Sequence, residues 1–376
     1  MIIQIKDAIF EYAVRNKLSE DIPVYSVTNE KGFCTGYFSK EVASKDKSTY
    51  KIVPKGYFAY NPSRINVGSI DWQNCEDKVI VSPLYVVFGV SEELDQQYLL
   101  HYLKSDMMLT YIKEYATGSV RDNLKLSDLG KFPINLRPLD EQRKIAAVLD
   151  KVSDLIAKRR QQLDKLDELV QARFVEMFGD EHHLDDWNCV SVGEVADICV
   201  GVVIKPTQYY TDQGGVPAFR SLNIGAMTIK NADWVYFTKE GHEKNKKSIV
   251  CENDVLVVRS GAPGTACVVT KEFSGYNAVD IIIAHPNIEK INSVFLAMFT
   301  NMPHGMNQIR EKTGGAAQQH FNVGGYKELT VILPPIELQN QFAAFVEQTE
   351  KTKTTISESL QQLETLKKAL MQEYFG

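Results

Sequence analysis

Two stretches of the chain carry apolar residues at alternating steps of four and three. In the first, Ile145, Leu149, Val152, Ile156, Leu163, Leu166, Val170 and Met177 keep that spacing, interrupted at Arg159 and Arg173. In the second, the matching positions are Phe342, Val346, Thr349, Lys353, Ile356, Leu360, Leu363, Lys367, Leu370 and Tyr374. This period predicts helices that pack through a single coiled-coil seam. Each would be a rod of roughly 55 to 60 Å at about 1.5 Å per residue. A helix that long with one apolar stripe needs a partner. The polar interruptions fall at different places in the two stretches, so each polar seam residue of one helix is expected beside apolar surface of the other.

The stretches are copies. Residues 138–179 align with residues 335–376 at a constant offset of 197 (335 − 138) without a gap. Pro138, Gln142, Ala146, Ala147, Leu163, Leu166, Leu169, Ala172, Glu176, Phe178 and Gly179 recur in the second copy. The other copy is therefore the simplest partner, and an antiparallel pair lets the duplicated unit close on itself with pseudo-twofold symmetry.

What lies outside the rods is also repeated. Residues 1–137 and 180–334 each read as a globular domain of mixed strand and helix, with β-rich runs bounded by Gly, Pro, Asn and Ser. IPVYSV answers VPAFRSL, KGYFAYNPSRINVG answers NDVLVVRSGAPG, and each domain has one strongly apolar helical segment ending at Thr-Gly. The expected fold is thus α+β: two duplicated mixed α/β globular domains separated by a long antiparallel two-helix coiled coil.

Composition narrows the chemistry. No run approaches 18 apolar residues and the N-terminus lacks a signal pattern, so a cytoplasmic protein without a membrane span is expected. The six cysteines form no CxxC pair, and no Cys/His cluster has zinc-ligand spacing. His182-His183 with Asp185-Asp186 reads as a solvated turn. The net charge of −6 still permits nucleic-acid binding, because phosphate affinity follows local basic patches.

Catalytic signatures are sparse. There is no GxxxxGK[ST] and no GxGxxG after a strand. Asn61-Pro62-Ser63-Arg64 lacks the second proline and the aromatic residue of an amino-methyltransferase loop. Glu76-Asp77-Lys78 matches the ExK of a nuclease, but Asp71 stands too close before it, and Ser260 has no evident His/Asp companions.

Binding chemistry remains. Asn61, Ser63, Arg64 and Asn66 in the first domain, and Arg259 and Ser260 in the second, follow matching strands; Arg and Asn side chains can read guanine and adenine edges. Lys244, Lys246 and Lys247 form a basic cluster with Lys205 and Arg220 upstream, and the first domain has a similar run from Lys40 to Lys55. Loops containing Arg121 and Asn123, and Gln318 and Gln319, add polar groups.

The openings PLDEQRKIAAVLD and PPIELQNQFAAFVEQ, each leading to a helix that ends in Phe-Gly, together with NPSRINVGSI, RSGAPGTA and TGGAAQQHFNVGGYKEL, resemble the specificity subunit of a type I restriction–modification enzyme. Leu338 departs from the family's usual Glu. The resemblance implies that 1–137 and 180–334 are target-recognition domains, each reading half of an asymmetric bipartite site in double-stranded DNA. It implies that 138–179 and 335–376 set the gap and dock two modification subunits. S-adenosylmethionine, ATP and Mg are then expected on those subunits and on motor–nuclease restriction subunits, with no cofactor and no catalysis in this chain. The competing readings are a protein-binding adaptor without DNA specificity and a small methyltransferase or nuclease.

Overall fold

The computed structural model describes residues 1–36, 46–115, 123–180, 187–212, 214–313 and 320–376. Each globular domain is built on a four-stranded antiparallel sheet with the same order. In the first, Ile9–Glu11, Val86–Val90, Phe58–Tyr60 and Ile70–Trp72 lie side by side; in the second, Ala196–Val200, Ile281–Pro286, Val255–Val258 and Ala266–Val268 do. One face of each sheet is covered by helices, because the strands alternate apolar residues to both sides. Phe58, Tyr60 and Phe88 pack on Tyr98, Leu99 and Leu103 of the Gln96–Leu103 helix. Val255, Val257 and Ile282 pack with Phe295, Leu296 and Phe299 of the Ser293–Asn301 helix. The other face carries smaller β layers, two ribbons in the first domain and a three-stranded sheet plus a ribbon in the second. A strand preceding each domain's first helical turn pairs with a strand just before the long helix, Ile2–Gln4 with Pro133–Asn135 and Cys189–Ser191 with Thr330–Ile332.

The long helices run Leu139–Phe178 and Ile336–Phe375. The chain divides into two compact units, Met1–Arg160 with Glu358–Gly376, and Gln161–Ser357. Each unit therefore contains one globular domain and one end of both long helices. In the first, Ile145 and Leu149 share a core with Leu370, Tyr374 and Phe375. In the second, Phe174 and Phe178 share a core with Phe342 and Val346. The start of one long helix lies beside the end of the other in both units, so the pair is antiparallel, as the duplication leads one to expect.

A buried glutamine fixes each start. Gln142 Oε1 accepts from the Asp95 N–H at 2.9 Å, and its Nε2 donates to the carbonyls of Glu93 (2.8 Å) and Arg137 (2.7 Å). Gln339 makes the same three bonds 197 residues on, to Asn292 N–H (2.8 Å), Lys290 O (3.3 Å) and Pro334 O (2.8 Å). Both side chains are fully buried. The shared Phe-Gly ending has a matching role: Phe375 meets Tyr98 with ring centroids 5.2 Å apart, and Phe178 meets Phe295 at 4.9 Å.

The predicted seam holds with two corrections. Leu149, Val152, Ile156, Val170 and Val346 are buried, while Leu163, Leu166, Ile356, Leu360, Leu363 and Leu370 are half-buried, as expected where two helices cover each other on one side only. The strict spacing shifts beyond Val170, where fully buried Phe174 takes over from Arg173, while Met177 packs half-buried against the same core. A straight helix of 3.6 residues per turn drifts from a seven-residue repeat, and here the helix is held by a globular core. Arg173 instead lies over the Phe345 ring, 5.9 Å from its centroid. The second correction is Lys353, which meets Asp167 and Glu350 at 2.7 Å rather than apolar surface. Lys367 does lie beside apolar surface, lining a cleft with Ile156. Leu338 also finds its reason: in the first copy Glu141 pairs with Arg137, whereas at the same offset the second copy has Leu338 and Pro334, an apolar pair.

Candidate nucleic-acid interface

In the first domain the central strand Phe58–Tyr60 runs into a tight turn. Asn61 Oδ1 accepts from the Ser63 N–H at 3.1 Å and from Ser63 Oγ at 2.9 Å, and the Arg64 N–H donates to Asn61 O. This is the local bonding by which Asn stabilises turns, so the Asn61 and Ser63 side chains serve the turn, and Arg64 is left exposed at its tip. Asn66 is half-buried in the following turn, Ile65–Val67.

Asn61 and Arg64 line a surface cleft of about 450 Å³ whose opposite wall is the Ser26–Cys34 hairpin, with Thr28, Asn29 and Lys31. The hairpin is held by the Asp71 carboxylate, which accepts from the Phe33 N–H at 3.2 Å and whose pKa is raised by burial. Gly32, at φ +58°, admits that carboxylate: a Cβ there would stand 1.8 Å from Asp71 Oδ2. The signal for this hairpin in the sequence is Thr28-Asn29-Glu30-Lys31-Gly32 between apolar runs, and none of the candidate binding residues lies in it. Asn123 is exposed at the edge of the same turn, because the Leu124 N–H donates to Pro62 O at 3.2 Å. Arg121, Lys40 and Lys45 lie outside the described residues.

The second domain keeps the scaffold and changes the chemistry. The Phe321 N–H donates to Arg259 O at 2.9 Å, the bond of Leu124 and Pro62 repeated at the 197-residue offset. Arg259, however, is buried and committed within the protein. Its guanidinium donates to Asp280 Oδ1 (2.6 Å), to Phe321 O (3.1 Å) and to His320 Nε2. A guanidinium has no acceptor, so His320 Nε2 accepts and Nδ1 carries the proton. That N–H donates to Ser260 Oγ at 2.7 Å. Ser260 thus has a histidine neighbour after all, but one that donates to it and cannot take its proton. The expectation of Arg259 at a base edge gives way to an internal anchor.

Arg220 is half-buried, its guanidinium donating to Asp233 O and its backbone N–H to Asn223 Oδ1. Lys205 is exposed at a left-handed backbone position (φ 45°) before the Pro206–Tyr209 turn. Lys244, Lys246 and Lys247 are exposed around one cleft of about 440 Å³, alongside Val200 to Val202. Lys244 pairs with Glu240 at 2.6 Å and Lys246 with Glu243 at 3.4 Å. Such exposed pairs hold little energy and leave the ammonium groups available to phosphate. Gln318, Gln319 and the His182-His183 segment lie outside the described residues.

The remaining acid motifs do not assemble. Lys78 pairs with Glu20, Asp71 is spent on the hairpin, and Glu76 is exposed. Among the described residues no three His, Cys, Asp or Glu side chains are placed to hold a metal ion, and no helix is long and apolar enough to cross a membrane.

The sequence matches the family described as the type I restriction modification DNA specificity domain twice, over residues 2–168 and 184–365. It is 20% identical over 271 residues to the MjaIX specificity subunit of Methanocaldococcus jannaschii, covering 67% of this chain and 61% of that one, under two thirds of its length. It is 22% identical over 346 residues to the EcoBI specificity subunit of Escherichia coli, covering 82% of this chain and 71% of the relative. The fold matches the crystal structure of a type I restriction–modification S subunit from M. genitalium with a TM-score of 0.60 at 15% identity, over 100% of this chain and 96% of that one.

Proposed function

This chain belongs to the type I restriction modification DNA specificity family, and from that premise we propose that it reads one half of a split double-stranded DNA site with each globular domain. A specificity subunit is the recognition component of its complex and not its catalyst. The long helices serve as the spacer between half-sites and as the seat for two modification subunits. Those subunits bring S-adenosylmethionine, and restriction subunits bring ATP and Mg. The protein works in the cytoplasm, where the DNA is.

The observation that carries this reading is a shared scaffold under different surfaces. The strand order, the buried glutamine and the 62–124 and 259–321 backbone bonds recur, whereas the turn after the central strand offers Arg64 in one domain and a buried Arg259 in the other. Repetition of the support with divergence of the loops is what two related but distinct recognition tasks require. The lysine cleft supplies phosphate contacts that position the second domain, and base edges are left to neighbouring loops.

The test is methylation mapping with the assembled complex. A split site with a fixed gap is expected, and exchange of residues 180–334 for the corresponding domain of another subunit should change one half only. A continuous site, or a change in both halves, would sink the reading. Replacing Lys244, Lys246 and Lys247 by Ala should lower the slope of log affinity against log salt by about two to three, at about 0.9 per phosphate contact.

A further inference from the structure

The face of the second domain's sheet that points away from the long helices carries a cluster the DNA reading does not use. Cys199 lies in the edge strand Ala196–Val200 and His285 in the neighbouring strand Ile281–Pro286, on the same face, two residues apart in register. His285 Nε2 is 3.6 Å from Cys199 Sγ, and its Nδ1 is 2.6 Å from Asp254 Oδ1. The Asp254 carboxylate is 5% exposed and is held from behind, since its Oδ2 accepts the Cys251 N–H at 2.6 Å. Asp197 is the direct cross-strand partner of His285. The three side chains form a line: a buried acid orients an imidazole, whose other nitrogen addresses a sulfur reachable from solvent. A cysteine beside an imidazolium that a carboxylate holds in place is an arrangement that favours the thiolate nucleophile.

The sulfur is also tied to the basic cleft. Cys199 Sγ donates to Lys247 O at 3.4 Å, and Val200, Lys246, Lys247 and Ser248 line that cleft. A substituent on the sulfur cannot keep that bond and stands where the Lys246–Ser248 turn packs. Contacts between that turn and the edge strand are part of the domain's framework.

We propose that Cys199, with the His285 imidazolium beside it and Asp254 as the positioning group, is a modification site for small disulfides, and that a mixed disulfide there displaces the lysine turn and weakens the second domain's hold on DNA. The exchange is balanced. The Cys199 sulfur attacks one sulfur of a small disulfide, a new S–S bond forms and the old one breaks. The Cys199 proton passes to solvent water as the thiolate forms beside the His285 imidazolium, and the departing thiolate takes a proton from solvent. The disulfide is the oxidant, and one equivalent of free thiol is released. His285 is held protonated well above the usual imidazole range, to about 10, through its bonds to Asp254 and Cys199, which keeps the positive charge beside the sulfur at neutral pH.

Only the coupling to DNA rests on the function proposed above. The test begins with the unmodified full chain, without DNA: iodoacetamide is reacted for short times and each cysteine is quantified by mass spectrometry. Cys75 is the internal control, because it is exposed and Cys199 only partly so. Cys199 is expected to label at least about tenfold faster, against the order that exposure alone dictates, and His285→Gln to remove most of that advantage. Labelling no faster than Cys75 overturns the proposal without any variant needing to fold. In the second arm, oxidised glutathione is expected to add to Cys199 and lower affinity for random-sequence duplex at low salt about fivefold, with Cys199→Ser immune. Rapid labelling with unchanged affinity overturns the coupling and leaves the reactive thiol. Absence of any salt-dependent duplex binding by the untreated chain would count against the proposed function instead.

Discussion

The places where the two long helices begin share a buried glutamine and differ in the side chains packed nearby. At both, a buried glutamine satisfies one N–H and two carbonyls of the backbone. Around Gln142 the surroundings are polar: Asp150 takes the Gln97 Nε2 donor at 2.6 Å and lies 2.7 Å from His101 Nε2, while Gln97 Oε1 accepts from Trp72 Nε1 at 2.7 Å. At the corresponding positions the second copy has Val294 and Met298, packed in its core, and Glu347, turned out to Lys351. The difference separates two kinds of interaction. Backbone groups left by the change of direction before the helix exist whatever the side chains are, so both copies need the same satisfier. Side chains that satisfy only each other can be replaced together by apolar ones at little cost.

The largest expected effect tests the shared half of this comparison. Gln142→Leu and Gln339→Leu each strand three buried backbone groups and should each cost about 3–5 kcal/mol, read from urea unfolding. The two costs should agree within about 1 kcal/mol. A large mismatch would mean that geometric repetition is not energetic repetition.

Much of this was legible in the chain. The gap-free offset marked Gln142 and the Phe-Gly endings, because positions that answer backbone geometry repeat. The helix pair followed from its period. What could not be read were interactions decided by tertiary placement. Arg259 follows its strand where a DNA-reading arginine would stand, yet Asp280 and His320, distant in sequence, capture it. Phe174 fell off the seam because a heptad count assumes a helix partner only, not the globular core that meets it.

The two domains also differ in how a histidine is used, and acidity should expose the difference. Burial holds His101 below the usual imidazole pKa despite Asp150, with Lys367 and Lys104 adding to the effect. The unfolded chain then binds a proton that the folded one refuses, so the first unit loses stability as pH falls below about 6.5. His285 has the opposite sign: its folded-state pKa is raised to about 10 by its bond to Asp254. Its contribution is fully present below about 6.5 and is lost as pH rises towards 10. The side chain is 38% exposed, so solvent screening leaves about 1 kcal/mol. His285→Gln should therefore cost about 1 kcal/mol at pH 6 and progressively less at pH 8 and 9, while His101→Gln should flatten the acid-side loss. Melting followed across pH for both variants checks the signs, and parallel profiles would erase the contrast.

The smallest effects lie in the seam itself, at two lysines in half-buried positions. Lys353 is 14% exposed and held by Asp167 and Glu350; burial works against its charge, and the two carboxylates together outweigh it and raise its pKa. Lys367 has its pKa lowered by burial and by Arg160, with Asp150 opposing. Methionine keeps the length and the apolar stem of either side chain. Lys367→Met removes a charge that the site disfavours and should stabilise the first unit by about 0.5–1 kcal/mol. Lys353→Met leaves two carboxylates facing each other without a cation and should destabilise the second by about as much. Chemical denaturation at low and high salt separates the two, because salt should relieve the Lys353→Met loss and leave the methyl packing gained at Lys367 in place. Equal signs would mean that the seam treats its lysines alike and that the carboxylates beside Lys353 are incidental.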